Sequence, residues 1–235
     1  MRLSIFIILL LSVGLVHAEI VHVAVATNFK STAKKINTLF EQKSVYTVVL
    51  SSASTGTLYS QIIHGAPFDI FFSADKNAPL QLEKNELGVN GQQFCYALGA
   101  LTLVGSDNAA QDLANPKLSL AIANPNSAPY GRAAEEVIQR AQFTTASNRK
   151  LVRANNAIQA YQHWYSSSVD LALVPNSLAQ GEGAAISSNW YTPIEQHVIW
   201  LKRAESNPAA KAYMRLIRSE EVQAMIHNSG YEICP

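Results

Sequence analysis

The chain has 235 residues, with 18 basic residues (Lys and Arg) and 17 acidic residues (Asp and Glu). This balance argues against a nucleic-acid-binding protein, because such proteins carry a basic stripe. After the apolar run near the N-terminus, no stretch has the roughly 18 to 20 uncharged apolar residues of a membrane-spanning helix. Composition therefore argues against a nucleic-acid-binding protein and against a protein that spans a membrane with helices.

The N-terminus has the pattern of a secretory signal peptide. Met1-Arg2 is followed by a mostly apolar run and then by His17-Ala18, so we expect cleavage after Ala18. Removing these 18 of 235 residues removes Arg2 and no acid, which leaves 217 residues with 17 charges of each sign. That length exceeds a typical domain of about 100 to 150 residues. We therefore expect an exported, soluble chain of two modest lobes.

Polar residues follow two predicted strands at the points where each strand leads into a helix. The β-rich run 20–25 is followed by Thr27-Asn28, and the run 45–50 is followed by a serine-rich stretch containing Ser54-Thr55. A helix start has unpaired backbone N–H groups and partial positive charge, so it suits an anion. The alternative is that these residues only cap helices. Their recurrence one βαβ unit apart favours a shared ligand.

The rest of the chain continues the alternation of strands and helices. We predict a strand in the apolar run of the segment 65–75 and further strands at 94–104, 117–123, 151–154, 169–174 and 195–201. Helices are predicted near 78–84, 132–142, 157–164, 208–218 and 220–228. The strand 195–201 is expected to pair with 94–104. This alternation predicts an α/β fold with mostly parallel sheets, in which ligands bind at the carboxyl ends of strands.

Sequence signatures of enzymes are absent from the chain, which has no Gly-x-Ser-x-Gly, phosphate-loop, Rossmann or His-Glu-x-x-His motif. Asp69 and Asp75 are expected to make turn and strand-end bonds. The alternative is a secreted enzyme that uses Ser54 or Thr55 as nucleophile, but the sequence offers no convincing base for it. We therefore expect a binding protein without a cofactor.

Cys95 and Cys234 are the two cysteines of the chain. In an oxidising compartment a structural disulfide persists, whereas buried free thiols or a metal pair are the alternatives. Neither cysteine has a His or Cys at ligand spacing, so the metal pair is the weakest of the three.

Four segments together resemble the periplasmic molybdate-binding protein of ABC transporters. The similarity runs from about Ile20 to the C-terminus. It is most specific at Ala-Thr-Asn-Phe, Ser-Ala-Ser-Thr-Gly-Thr-Leu-Tyr, Gly-Ala-Pro-Phe-Asp-Ile-Phe-Phe-Ser-Ala-Asp, and Asn-Pro with Pro-Tyr-Gly, which occupy 26–29, 52–59, 65–75 and 124–131. The resemblance implies a type II periplasmic binding protein, with two mostly parallel sheets flanked by helices and the ligand in the cleft between the lobes.

The resemblance also implies the ligand and the residues that hold it. The ligand would be molybdate or tungstate, bound as an oxyanion by Thr27, Asn28, Ser54 and Thr55 on one wall and by Tyr130 and Ala157 on the other. A further position, a tyrosine in some members, falls on Pro175, which offers neither a hydroxyl nor an N–H. We therefore leave Pro175 out of the predicted site.

Partners, lobes and the disulfide follow from the same resemblance. The partners would be an ABC permease and its ATPase, and the protein would act as a periplasmic monomer. The first lobe would comprise residues 19–94 and 201–235, and the second residues 95–200, with a hinge that closes over the ligand. In this topology Cys234 returns beside Cys95, so we expect the two to form a disulfide.

Overall fold

The computed structural model describes residues 19–234, and the predicted signal peptide lies outside them. The strands are β1 Ile20–Ala26, β2 Thr47–Ala53, β3 Ile70–Phe72, β4 Phe94–Gly99, β5 Leu101–Val104, β6 Leu120–Ala123, β7 Leu151–Ala154, β8 Leu171–Pro175, β9 Ala184–Ala185 and β10 Ile194–Trp200. The helices are α1 Lys30–Lys43, α2 Thr55–Ile63, α3 Asn77–Lys84, α4 Ala109–Leu113, α5 Pro129–Ile138, α6 Ala157–Tyr165, α7 Asn176–Ala179, α8 Pro208–Ile217 and α9 Glu220–His227. Short 3-10 turns lie at Thr27–Phe29, Ala141–Ala146, Ser188–Trp190 and Lys202–Ala204. Nowhere within 19–234 is a helix long and apolar enough to cross a membrane.

The strands form two five-stranded sheets. Their orders are β2-β1-β3-β10-β4 in the first sheet and β7-β6-β8-β5-β9 in the second. Only β10 in the first sheet and β5 in the second run against their neighbours, so four strands of each sheet share one direction. The predicted α/β fold with mostly parallel sheets, and the predicted pairing of the strand near 195–201 with the strand from 94, are confirmed.

Both faces of the first sheet are buried, and alternate residues of its strands supply the two cores. Val23 and Val25 of β1 pack on the side of α1 and α8 with Phe29 and Tyr213, whereas Ala24 between them faces the core of α2 and α3. Side chains on a strand alternate with a period of two, so a continuous apolar strand is suited to a sheet covered on both faces. The second sheet is built in the same way.

The predicted strand 94–104 is divided at Ala100. Its first part, β4, pairs with β10 in the first sheet, and its second part, β5, pairs with β8 and β9 in the second. The chain therefore passes from one sheet to the other at this residue, which apolar periodicity alone did not reveal. It passes back between β9 and β10.

The cysteines are joined as predicted. Cys95 at the start of β4 and Cys234 in the C-terminal tail form a disulfide with a Cα–Cα distance of 6.1 Å. The bond fixes the tail beside β4, where Leu98 and Glu232 also pair through their backbones. The free-thiol and metal alternatives are therefore excluded.

Candidate functional site

A small cavity of about 10 Å³ lies where strand ends of the two sheets meet. Its lining residues are Ala26, Thr27, Asn28, Ser54, Thr55, Ala74, Ala128, Pro129, Tyr130 and Ala157. All six residues that the resemblance placed in the ligand site are among them. The structure thus brings together positions that are up to 130 residues apart in sequence, and their contact with a ligand stays a prediction.

The first wall of the cavity is built by strand register. Ala26 at the end of β1 is aligned with Ala53 at the end of β2, and Val25 with Phe72 at the end of β3. The carboxyl ends of three neighbouring parallel strands therefore lie at one edge of the sheet, and the residues that follow them lie side by side. This explains why the turns after β1, β2 and β3 share one cavity.

Ser54 and Thr55 are buried at the start of α2, and each hydroxyl has a defined partner. The oxygen of Thr55 accepts a hydrogen bond from the backbone N–H of Ala74 (3.0 Å). Ser54 is the N-cap of α2, and its oxygen accepts from the N–H of Thr57 (3.4 Å) and lies 2.7 Å from the Thr57 hydroxyl. The hydrogen of the Thr55 hydroxyl can therefore point to a ligand, and that of the Ser54 hydroxyl can do so when the Thr57 hydroxyl is the donor of the pair.

The second wall contains the starts of α5 and α6. Pro129 and Tyr130 are the first residues of α5, and Ala157 is the first residue of α6, where Asn156 caps the helix by accepting from the N–H of Gln159 (3.0 Å). Amides of a first helical turn have no acceptor within the helix. The backbone N–H groups of Tyr130 and Ala157 are therefore the donors this wall can offer.

The cavity is electrostatically suited to an anion although none of its lining residues carries a charge. The N-termini of α2, α5 and α6 and the turn Thr27–Phe29 converge on it, and each helix start carries partial positive charge. Burial raises the pKa of the Tyr130 hydroxyl well above its usual value, so this group stays protonated. The site thus offers neutral donors and no carboxylate.

Contacts between the elements of the two sheets close the cavity. The N–H of Gly56 donates to the carbonyl of Ser127 (2.9 Å), and Arg132 of α5 pairs with Asp75 (2.5 Å). A Cβ at Gly56 would lie 3.1 Å from backbone atoms of Ser127. The absence of a side chain at this position therefore permits the close approach of α2 to the turn before α5.

The two aspartates behave as predicted from the sequence. Asp69 accepts from the backbone N–H of His22 (2.8 Å) and pairs with Arg203. Asp75 accepts from the N–H of Ala78 (2.9 Å) at the start of α3. The Asp69 carboxylate thus bonds to a backbone N–H within β1 and the Asp75 carboxylate to one at the start of α3, each also pairs with an arginine, and neither is a lining residue of the cavity.

Sequence reasoning missed four lining residues: Ala26, Ala74, Ala128 and Pro129. None has a polar side chain, so residue type gave no signal. Their positions could have indicated the site, because each residue lies at a strand end or in the turn before a predicted helix. Pro175, at the end of β8, is not among the lining residues.

Gly131 in the first turn of α5 supplies a test of how this wall is packed. A Cβ there would overlap the carbonyl oxygen of Ala123 and lie 2.8 Å from its carbonyl carbon. Alanine is the better helix former by about 1 kcal/mol, but overpacking costs typically about 1 to 3 kcal/mol. We expect Gly131→Ala to lower the thermal midpoint and, by displacing α5, to weaken ligand binding. An unchanged midpoint would contradict the observed packing of α5 on β6.

The chain alternates strands and helices and forms two sheets flanked by helices, with an anion-suited cavity where their strand ends face each other. This architecture defines a solute-binding protein of the two-lobed periplasmic type. The chain belongs to the family of bacterial extracellular solute-binding proteins, whose sequence profile matches residues 21–232.

Individual relatives support this assignment over most of the chain. The sequence is 36% identical to the molybdate-binding protein ModA of Azotobacter vinelandii over 224 residues, which is 90% of this chain and 89% of that protein. It is also 36% identical to ModA of Rhodobacter capsulatus, over 88% and 86% of the two chains. A solved periplasmic molybdate-binding protein of Azotobacter vinelandii matches with a TM-score of 0.84 and 32% identity, covering 92% of this chain and all of the other. The resemblance to the periplasmic molybdate-binding proteins of ABC transporters is confirmed.

Proposed function

We propose that this protein is the substrate-binding component of an ABC importer and holds molybdate in the cavity between the two sheets. The observation that carries the proposal is the composition of that cavity, which combines hydroxyls, first-turn amides and converging helix starts without a charged side chain. Relatives with 36% identity are molybdate-binding proteins. Thr27, Asn28, Ser54 and Thr55 would bind from one wall, and Tyr130 and Ala157 from the other.

The strength of such a site follows from its hydrogen bonds. A bond to a charged group contributes about 1.5 to 3 kcal/mol. Roughly six of them would give about 9 to 18 kcal/mol gross. After the costs of association are subtracted, the remainder fits an affinity between micromolar and nanomolar.

The same chemistry discriminates among oxyanions. Phosphate keeps a proton near neutral pH and would need an acceptor, whereas the lining residues include no carboxylate. Fully ionised tetrahedral anions are therefore favoured. Tungstate has the same charge and shape as molybdate, and we propose that it binds at the same site.

Lobe boundaries follow from sheet membership. The limits expected from the sequence, at 94/95 and 200/201, fall at strands β4 and β10, which both belong to the first sheet. We propose instead that the lobes meet near Ala100 and in the segment between β9 and β10. Rotation about these two crossings would open the cavity to solvent.

The setting proposed for this activity is the periplasm, after removal of residues 1–18. The protein would act as a monomer that delivers its oxyanion to a membrane permease and the associated ATPase. It would perform no chemistry on the anion.

Thermal melting with added oxyanions tests the proposal. A ligand that binds only the native state raises the melting temperature by mass action, by an amount that grows with its concentration. We expect molybdate to raise the midpoint and phosphate to leave it nearly unchanged. A midpoint that molybdate does not move would argue against the proposed function.

A further inference from the structure

Gln196 is a fully buried polar side chain that lies behind the cavity. It belongs to β10, between β3 and β4 of the first sheet, and the register of β10 against β4 shifts between Gln196 and His197. It is not a lining residue of the cavity. A buried carboxamide is costly unless its oxygen and nitrogen are both hydrogen-bonded, so its partners indicate why it is there.

The partners of Gln196 lie on both walls of the cavity. Its Oε1 accepts from Nδ2 of Asn28 (2.6 Å) and lies 3.3 Å from the hydroxyl of Tyr96, whose one hydrogen is shared with the carbonyl of Ser73 (3.1 Å). Its Nε2 donates to the hydroxyl of Tyr130 (3.4 Å). One side chain therefore touches Asn28 of the first wall and Tyr130 of the second.

Other contacts restrict the same two wall residues. The hydroxyl of Tyr231 donates to the carbonyl of Asn28 (2.8 Å) and accepts from its Nδ2 (3.3 Å). The ring of Tyr130 lies so close to Gly99 that a Cβ there would be 2.8 Å from Cζ. Tyr130 thus reaches from α5 across to β4, next to the crossing at Ala100.

The tyrosines in this cluster keep their hydrogens. Burial raises the pKa of Tyr96 and of Tyr130 well above the usual value for a phenol. Since Tyr130 accepts from Gln196, its own hydrogen is not needed for that bond. The cluster is a neutral network that joins the two walls.

We infer that Gln196 is a positioning residue for the proposed oxyanion site, because it holds Asn28 and Tyr130 in one relative arrangement when the lobes are closed. The inference rests on the proposed function and adds to it a residue that does not touch the ligand. In the absence of the Gln196 contacts, the two walls would have to be aligned by the ligand itself, which reduces affinity because preorganisation is lost.

The test measures affinity and stability separately. Gln196→Leu removes all three contacts and is expected to weaken molybdate binding in titration calorimetry by at least roughly tenfold, about the effect of 1.4 kcal/mol. Asn37→Leu is the matched control, because Asn37 is also buried in the first lobe and accepts from the hydroxyl of Tyr213 (2.5 Å), but does not line the cavity. It should lower the melting temperature of the free protein and leave the dissociation constant unchanged.

A second variant covers the case in which Gln196→Leu does not fold. Gln196→Met keeps the approximate size of the side chain and adds no charge beside the anion site, but it lacks the acceptor for Asn28 and Tyr96 and the donor to Tyr130. We expect it to weaken binding as well. Tyr130→Phe removes the contact with Tyr130 from the other side. In the double variant, the loss of molybdate affinity should therefore be smaller than the sum of the losses in the two single variants.

The outcomes separate this inference from the proposed function. Wild-type affinity in a folded Gln196 variant, with a wild-type protein that binds molybdate, would overturn the positioning role alone. No binding by the wild-type protein would overturn the proposed function and the positioning role with it.

Discussion

The double substitution Ser54→Ala/Thr55→Ala is expected to weaken molybdate binding by at least roughly tenfold, because each lost hydroxyl donor costs about 1 to 3 kcal/mol. Both side chains are buried and line the cavity, and both oxygens accept from backbone N–H groups. The Thr55 hydrogen can point to the ligand, and so can the Ser54 hydrogen when the Thr57 hydroxyl donates to Ser54. Titration calorimetry of the purified variant measures the effect directly.

The control for this experiment keeps the residue types and changes their location. Thr47→Ala/Ser60→Ala removes a threonine and a serine that are exposed on β2 and α2, the same two elements that flank the site. Because Ser54 also caps α2, the site variant should melt earlier by an amount that reflects about 1 kcal/mol. Equal molybdate affinity in the site variant and the control variant would remove Ser54 and Thr55 from the site.

Removal of the disulfide is expected to have the largest effect on stability. Cys95 and Cys234 are 139 residues apart. Opening a loop of this size raises the conformational entropy of the unfolded chain and should lower the free energy of unfolding by about 5 kcal/mol. We expect Cys95→Ala/Cys234→Ala to unfold at a clearly lower urea concentration than the wild-type protein.

Ligand binding provides the control for the disulfide experiment. Neither cysteine lines the cavity, so the folded variant should bind molybdate as the wild-type protein does. Alkylation of the wild-type protein before and after reduction checks the bond itself. Equal urea midpoints for the two proteins would show that the disulfide does not restrict the unfolded chain as the entropy argument requires.

Much of the fold was predictable because its signals are local. Strand β3 is a continuous apolar run and β1 is apolar except for His22, and turn residues follow both. Helices α1 and α2 begin at polar residues and continue with apolar residues at helical spacing. Even so, α5 begins at Pro129, three residues before the predicted start at Arg132. Proline suits the first position of a helix, since its missing N–H would have no partner there.

The site was predictable in part, for a different reason. Parallel strands place their carboxyl ends at one edge of a sheet, so Thr27 and Ser54 could be expected to be neighbours from the strand assignments. That Tyr130 and Ala157 face them depends on how the two sheets meet, and it came from the resemblance to a family. No periodicity in the sequence contains that information.

Gln196 illustrates what sequence patterns cannot provide. In the run Ile194–Trp200 it reads as one polar residue of a strand, and its partner Asn28 is 168 residues away. The break at Ala100 was missed for a similar reason, because apolar residues continue on both sides while their pairing partners change from one sheet to the other. Both features are set by long-range pairing.

Titration calorimetry of the wild-type protein with molybdate, tungstate, sulfate and phosphate tests the central claim most directly. We expect one molybdate per chain, bound with an affinity between micromolar and nanomolar, and much weaker binding of phosphate, because its proton is suited to a carboxylate acceptor and no lining residue is a carboxylate. No measurable heat with molybdate, or phosphate binding as tight as molybdate binding, would contradict it.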